Sequence, residues 1–186
     1  KEAGGPPLYW HQDWMQWNDP LSCSPWPQIM FLSYYLTDTS VENGCMKEIP
    51  GSHRRRIPLH DKLVAAHEQG ARYIEEDHPV MFSDHPDQVD VCVKAGSLVL
   101  ADARILHSAY RNQTDERRTV LTMWYYPDYV ALPERTQATV ASVEVHNNLS
   151  EPVDKEIQAL LAPLKIAYDG AAAPIETQWV PGEALK

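Results

Sequence analysis

Short apolar runs separated by turn formers, with only two short helices and no glycine-rich nucleotide loop among them, most constrain how this chain can fold. Residues 28–38, QIMFLSYYLTD, are rich in aromatic and long apolar side chains and follow Pro27, the pattern of a buried strand. The next stretch, VENGCMKEIPGSHRRR at 41–56, reads as a loop, because Asn43-Gly44 and Pro50-Gly51-Ser52 are turn formers. Strand signals resume at 89–94 and, after Ala95-Gly96, at 97–101. They run on through 102–108 and return at 118–126 (RTVLTMWYY), with a shorter one at 139–145 (TVASVEV). Two helices are expected. One spans 60–76, where Leu63, Val64, Ala71 and Ile74 share a side although Gly70 weakens the pattern; the other spans 154–164, between Pro152 and Pro163. The tail, with Pro174, Pro181 and Gly182, is expected to be irregular. Many short strands and few helices point to one mainly β sandwich or barrel rather than a βαβ fold, and no GxGxxG or Walker-type loop contradicts that.

The 186 residues suffice for a single domain, 1–186, with a substantial core. A net charge of -10, from 26 acidic and 16 basic residues, argues against a dedicated nucleic-acid surface. His53-Arg54-Arg55-Arg56 is the local basic exception. No apolar run reaches the roughly 18 residues of a membrane span, and the N-terminus has no signal-peptide pattern. Cys23, Cys45 and Cys92 lie far apart without a CxxC, so neither a disulfide scaffold nor a zinc knuckle is indicated and a reducing, cytoplasmic setting is expected. Because Lys1 stands where an initiator methionine would, and a polar motif follows within a dozen residues, the chain is expected to lack N-terminal elements.

That motif is His11-Gln12-Asp13, set between indoles in PPLYWHQDWMQW. In an extended segment alternate side chains share a face, so His11 and Asp13 can converge on one ion. Two imidazoles and one carboxylate on a single face leave open coordination positions and characterise non-haem Fe(II) oxygenases. The third ligand must come from elsewhere. His107, at the end of the apolar run GSLVLADARILHS, is the stronger candidate and His53, after the Pro-Gly-Ser turn, its competitor.

Three ordered blocks carry a more specific signal: HQD at 11–13, ENGCMKEIPGSH at 42–53 and AGSLVLADARILHSAYRNQTDERRT at 95–119. Together they resemble the phytanoyl-CoA dioxygenase family of Fe(II)- and 2-oxoglutarate-dependent oxygenases, over roughly residues 9–127. The resemblance implies a double-stranded β-helix (jelly roll, cupin-like) with flanking helices, and His11, Asp13 and His107 as metal ligands and catalytic residues. It implies Fe(II) as cofactor, 2-oxoglutarate as cosubstrate, and a small-molecule substrate and O2 as partners. In the family an arginine eleven positions after the distal histidine grips 2-oxoglutarate, and the count falls on Arg118. Strand alternation agrees, sending Arg118 inward with Val120 and Thr122 and Arg117 outward; a guanidinium fork suits a carboxylate. Related halogenating enzymes replace the carboxylate ligand by a small residue; Asp13 is retained, which favours hydroxylation of an unactivated carbon with release of succinate and CO2.

Gln28 and Thr114 are further candidates for the cosubstrate pocket, although Asn112 and Thr114 also suit support of a turn. Trp10, Trp14 and Trp26 are candidate substrate contacts, against the commoner use of such rings in a core. Two other readings compete: a non-enzymatic jelly-roll protein that binds a small molecule, and a cupin-like metalloenzyme that does not use 2-oxoglutarate. Substrate identity and oligomeric state are not legible from the residues.

Overall fold

In a computed structural model, residues 1–66, 74–142, 155–164, 166–183 and 185–186 are described. Among the described residues, seven strands form two antiparallel sheets. They are β1 (Leu8–His11), β2 (Met30–Tyr35), β3 (Met46–Glu48), β4 (Val89–Val91), β5 (Leu98–Asp102), β6 (His107–Ala109) and β7 (Val120–Tyr125). One sheet has the order β1-β6-β3-β4 and the other β5-β2-β7. Neighbours in the sheets are thus distant in sequence, the arrangement of a jelly roll rather than of a meander.

Alternation sorts the residues between faces. Trp14, Trp17, Ile29, Phe31, Ala103, Ile105 and Leu185 form one buried cluster, against which Met46 packs. Trp10, Ile49, Leu59 and Leu106 form a second. Trp10 and His11 are consecutive in β1, so they take opposite faces. The outer face of the three-stranded sheet is also apolar, with Tyr34, Leu98, Leu100, Leu121, Met123 and Tyr125 all exposed.

Four expectations are corrected. The 41–56 stretch is not all loop, since it holds the short strand β3, paired on both sides with β4 and β6. The run through 97–108 is not continuous: it breaks after Asp102, and β5 and β6 belong to different sheets. The break is built by Asp102, whose Oδ1 accepts the backbone N–H of Arg104 while its carbonyl accepts that of Ile105. The expected helix at 60–76 begins only as a 3-10 turn, His60–Lys62, and leaves helical geometry at Leu63 (φ -66°, ψ 141°); residues 67–73 lie outside those described. The expected strand at 139–145 is helical as far as it is described. It falls in α1 (Glu134–Ser142), where the Thr139 hydroxyl donates to the Arg135 carbonyl one turn back, satisfying within the helix a group that otherwise disfavours it. The expected helix at 154–164 is present as α2 (Lys155–Leu161), continued by a 3-10 turn, Ala162–Leu164.

The chain divides into two compact units, residues 1–127 with 177–186, and residues 128–176. Everything in the site below belongs to the first.

Candidate metal centre

β1 ends at His11, and Asp13 is fixed two residues further on by its backbone N–H, which donates to the Ala103 carbonyl at 2.8 Å. β6 begins at His107, and the β1–β6 register places His11 opposite His107. The Nε2 of His11 lies 3.5 Å from Asp13 Oδ1 and that of His107 lies 3.6 Å from Asp13 Oδ2, with the two imidazole centroids 4.2 Å apart. One ligand atom from each residue falls within 4.8 Å of the others. Both histidines are buried, at 8% and 6% exposure.

The donor set fits a divalent metal, and the outer contacts fix which atoms it would meet. His11 Nδ1 lies 2.9 Å from the Tyr9 carbonyl and His107 Nδ1 lies 3.1 Å from the Ile105 carbonyl. A carbonyl only accepts, so each Nδ1 must carry the proton and each Nε2 keeps its lone pair toward Asp13. Such outer hydrogen bonds hold metal-ligating histidines in one tautomer and orientation. Asp13 has a similar support: its Oδ2 accepts the indole N–H of Trp124 at 2.9 Å. His53, the competing third ligand, is not in the cluster; its Nδ1 is buried without a partner, and burial lowers its pKa.

Arg118 is buried, at 7% exposure, whereas Arg117 is exposed and paired with Glu2. The Arg118 backbone is anchored to Lys1, and its Nε is buried with no partner. No carboxylate is paired with its guanidinium among the described residues, and burial lowers its pKa. A second cation stands close: the Lys1 side chain is held down to a pKa of about 8, chiefly by burial and then by the charge of Arg118. The Lys1 ammonium donates to the Tyr110 carbonyl, so a buried and a partly buried cation stand here without a paired carboxylate among the described residues.

The other candidates are engaged as follows. Thr114 N–H and Oγ1 both bond to Asn112 Oδ1, and the buried Asn112 amide donates to Glu2 and Glu116 carbonyls, so this pair ties the turn before β7. Gln28 donates to the Trp26 carbonyl. Trp10 and Trp14 have no exposed surface and bond through their indole N–H to Ser83 and Ser22, while Trp26 is 77% exposed. In the basic run, Arg54 donates to the Pro25 carbonyl and Arg56 pairs with Asp61.

Three residues near the centre were not singled out by sequence reasoning. Trp124 lies in β7 opposite Phe31, whose ring is 5.1 Å from that of His107. Its alternation with Met123 and Tyr125 in the run RTVLTMWYY was the available signal. Arg104, 1% exposed, is clamped by Asp102 and donates to the carbonyls of Ser22, Ser24 and Trp26, bracing the loop after β1. Glu48 in β3 is paired in register with His107.

A mainly antiparallel two-sheet fold with two histidines and an aspartate converging inside it defines the class of non-haem metalloproteins with a facial triad. The sequence profile of the family described as Phytanoyl-CoA dioxygenase (PhyH) matches residues 1–120, and the chain belongs to that family. Phytanoyl-CoA dioxygenase of Arabidopsis thaliana is 31% identical over 109 residues, covering 58% of this chain and 34% of that protein. The probable alpha-ketoglutarate-dependent hypophosphite dioxygenase of Stutzerimonas stutzeri is 27% identical over 174 residues, covering 82% and 55%. The chain thus spans between about a third and just over half of the length of these relatives. The solved non-heme alpha ketoglutarate dependent carbocyclase SnoK from nogalamycin biosynthesis is 27% identical, with 68% of this chain and 46% of that one covered at a TM-score of 0.46.

Proposed function

We propose that this chain carries the catalytic core of an Fe(II)- and 2-oxoglutarate-dependent dioxygenase that hydroxylates an unactivated carbon of a small organic metabolite, releasing succinate and CO2. The observation that carries this reading is the meeting of His11, Asp13 and His107 with both Nε2 atoms directed to one point and both Nδ1 atoms tied to carbonyls. When bound there, iron supplies the activation of O2 that no amino-acid side chain provides.

The chain's own residues do the rest. Asp13 contributes the anionic ligand, and Trp124 holds one of its oxygens so that the carboxylate cannot rotate freely. Arg118 receives the distal carboxylate of 2-oxoglutarate, its buried and unpaired Nε being satisfied when that carboxylate arrives. Phe31, 2% exposed, sets an apolar ring beside His107, while Trp124, 54% exposed, borders the open side of the centre. Thr114 serves this pocket through the turn it ties rather than by contact. Gln28, Trp10, Trp14 and Trp26 are not part of the site proposed here. Among the described residues no helix is long and apolar enough to cross a membrane, and a cytoplasmic setting is part of the proposal.

Anaerobic Fe(II) titration of the chain and of Asp13→Ala, followed by assay of 2-oxoglutarate-dependent succinate release, tests the reading. Tight binding in the parent and its loss in the variant are expected. Equal metal retention in both would remove the oxygenase reading, and metal binding without any 2-oxoglutarate dependence would leave a metalloenzyme of another kind.

A further inference from the structure

Glu48 is a carboxyl placed beside the metal centre with no task in it. The β3–β6 register sets it opposite His107, and β6 in turn sets His107 opposite His11, so the three stand in a row on one face across adjacent strands. That face is the inner one: Met46, two residues earlier in β3, packs against the cluster containing Phe31, and the ring of Phe31 contacts that of His107. Lys47, on the opposite face, is turned toward Asp84 and the Trp10 ring. Strands in a sheet lie about 5 Å apart, which puts Glu48 one strand from a proposed ligand and on the side away from His11.

Its Oε1 is buried and has no hydrogen-bond partner. No lysine or arginine is paired with it among the described residues; burial raises its pKa, and the charge acting against that is His107's. Nor is it one of the three residues whose ligand atoms converge, so it is not a fourth ligand in this geometry. Glu48 as a residue is half-buried, but a carboxyl oxygen buried without a partner still disfavours folding, and an apolar residue in its place would avoid that penalty. Such a group persists where a ligand supplies the missing partner.

Resting on the reading of the triad as an oxygenase centre, we infer that Glu48 is a specificity-determining residue that receives a protonated amine of the substrate. A cationic nitrogen supplies both the charge and the N–H donors that an unpaired carboxylate lacks, whereas a hydroxyl supplies only a donor. With the Phe31 ring against His107 as the apolar contact, the substrate class is a small amine whose hydrocarbon part lies toward the metal. Arg118 and Lys1 take the anionic cosubstrate, so the two charged partners are sorted to different groups of the pocket.

The test measures equilibrium binding by calorimetry, with a set of primary alkyl and aryl amines and their N-acetyl counterparts as probes. The whole chain is compared with Glu48→Gln and Glu48→Leu, and thermal midpoints are recorded without ligand. The parent should prefer amines to acetylated probes by about tenfold or more, and both variants should lose the preference. The ligand-free midpoint of Glu48→Leu should be at or above that of the parent. A preference retained in both variants, no preference in the parent, or a midpoint lowered in both variants, the mark of a merely structural role, would overturn the assignment. Turnover of the parent separates the two readings: amine preference without any metal- or 2-oxoglutarate-dependent turnover would uphold Glu48 and remove the oxygenase.

Discussion

Asp13 is held from two directions, by its own backbone N–H on the Ala103 carbonyl and by the Trp124 indole on its Oδ2. The second contact lies outside the ligand set, and losing such a contact usually weakens metal binding by about 10–100-fold. Trp124→Phe is therefore expected to reduce Fe(II) affinity within that range while leaving the fold intact, as competition with a metal-sensitive dye will show; unchanged affinity would make the indole contact incidental. Arg118 differs, because its partner is the proposed cosubstrate rather than another residue. Truncating one member of a buried charge pair costs about 2–5 kcal/mol, or ~30-fold and upward in affinity. Arg118→Ala should raise the 2-oxoglutarate concentration needed for half-maximal turnover by at least that factor, with Fe(II) binding preserved. An unchanged 2-oxoglutarate titration would place the carboxylate on another group.

At the scale of elements, the loop between β1 and β2 and the break between β5 and β6 depend on one side chain. Arg104 is fully buried, bidentate with Asp102 and donating to three carbonyls of residues 22–26. Arg104→Met should destabilise the chain by roughly 3–5 kcal/mol, since it leaves Asp102 and those carbonyls without their donor; a urea midpoint near that of the parent would refute this. Gly44 marks the entry to β3 with φ 85°, and a Cβ there would lie 2.7 Å from the Tyr110 carbonyl oxygen, so the turn that positions β3 requires glycine on both counts. The 3-10 turn at His60–Lys62 carries a pH signature. His60 is 3% exposed, its Nδ1 accepts the Ile57 N–H, and burial lowers its pKa from 6.5. The folded state therefore binds protons less readily than the unfolded one. Its contribution to stability is complete above about pH 6.5 and is lost as pH falls below that, at no more than ~1.4 kcal/mol per pH unit. Denaturant unfolding of the parent and His60→Gln between pH 7 and 5 should show a shallower slope in the variant.

Strands with apolar alternation were visible in the sequence because their pattern is local: β2, β4, β5 and β7 all fall inside expected runs. β3 was not, for its three residues MKE have no strand signature and owe their form to pairing on both edges. Residues 139–142 (TVAS) show the reverse, part of an expected strand drawn into α1 by its surroundings. The converging His11, Asp13 and His107 and the buried Arg118 were singled out through spacing and resemblance; Trp124, Glu48 and Arg104 were not, because their contacts arise from register and burial.

For the molecule as a whole, the triad couples metal to folding. Ligand atoms that converge only in the folded chain bind metal only there, and such binding raises stability by mass action. Saturating Fe(II) under anaerobic conditions should raise the thermal midpoint of the parent and leave that of Asp13→Ala unmoved; an equal rise in both would indicate binding elsewhere. The outer face of the β5-β2-β7 sheet forms a second property of the whole. Tyr34 is flanked in register by Leu98 and Leu121, and Leu32 by Leu100 and Met123, so the exposed apolar residues are contiguous. A surface of this kind favours association. The chain by itself is expected to self-associate with rising concentration, and Leu100→Lys combined with Met123→Glu should suppress this in light scattering without altering metal binding.

The residues alone determined that the chain is mainly β, that an imidazole and a carboxylate at 11 and 13 share a side, and that an arginine at 118 points inward. These follow from local alternation and from motifs short enough to be read in order. Only tertiary structure decided that His107 is brought opposite His11 with His53 outside the cluster, that Trp124 contacts Asp13, and that Glu48 stands one strand from His107. Those facts depend on which strands pair and in which register, and pairing between segments many residues apart is settled by the packing of the whole chain.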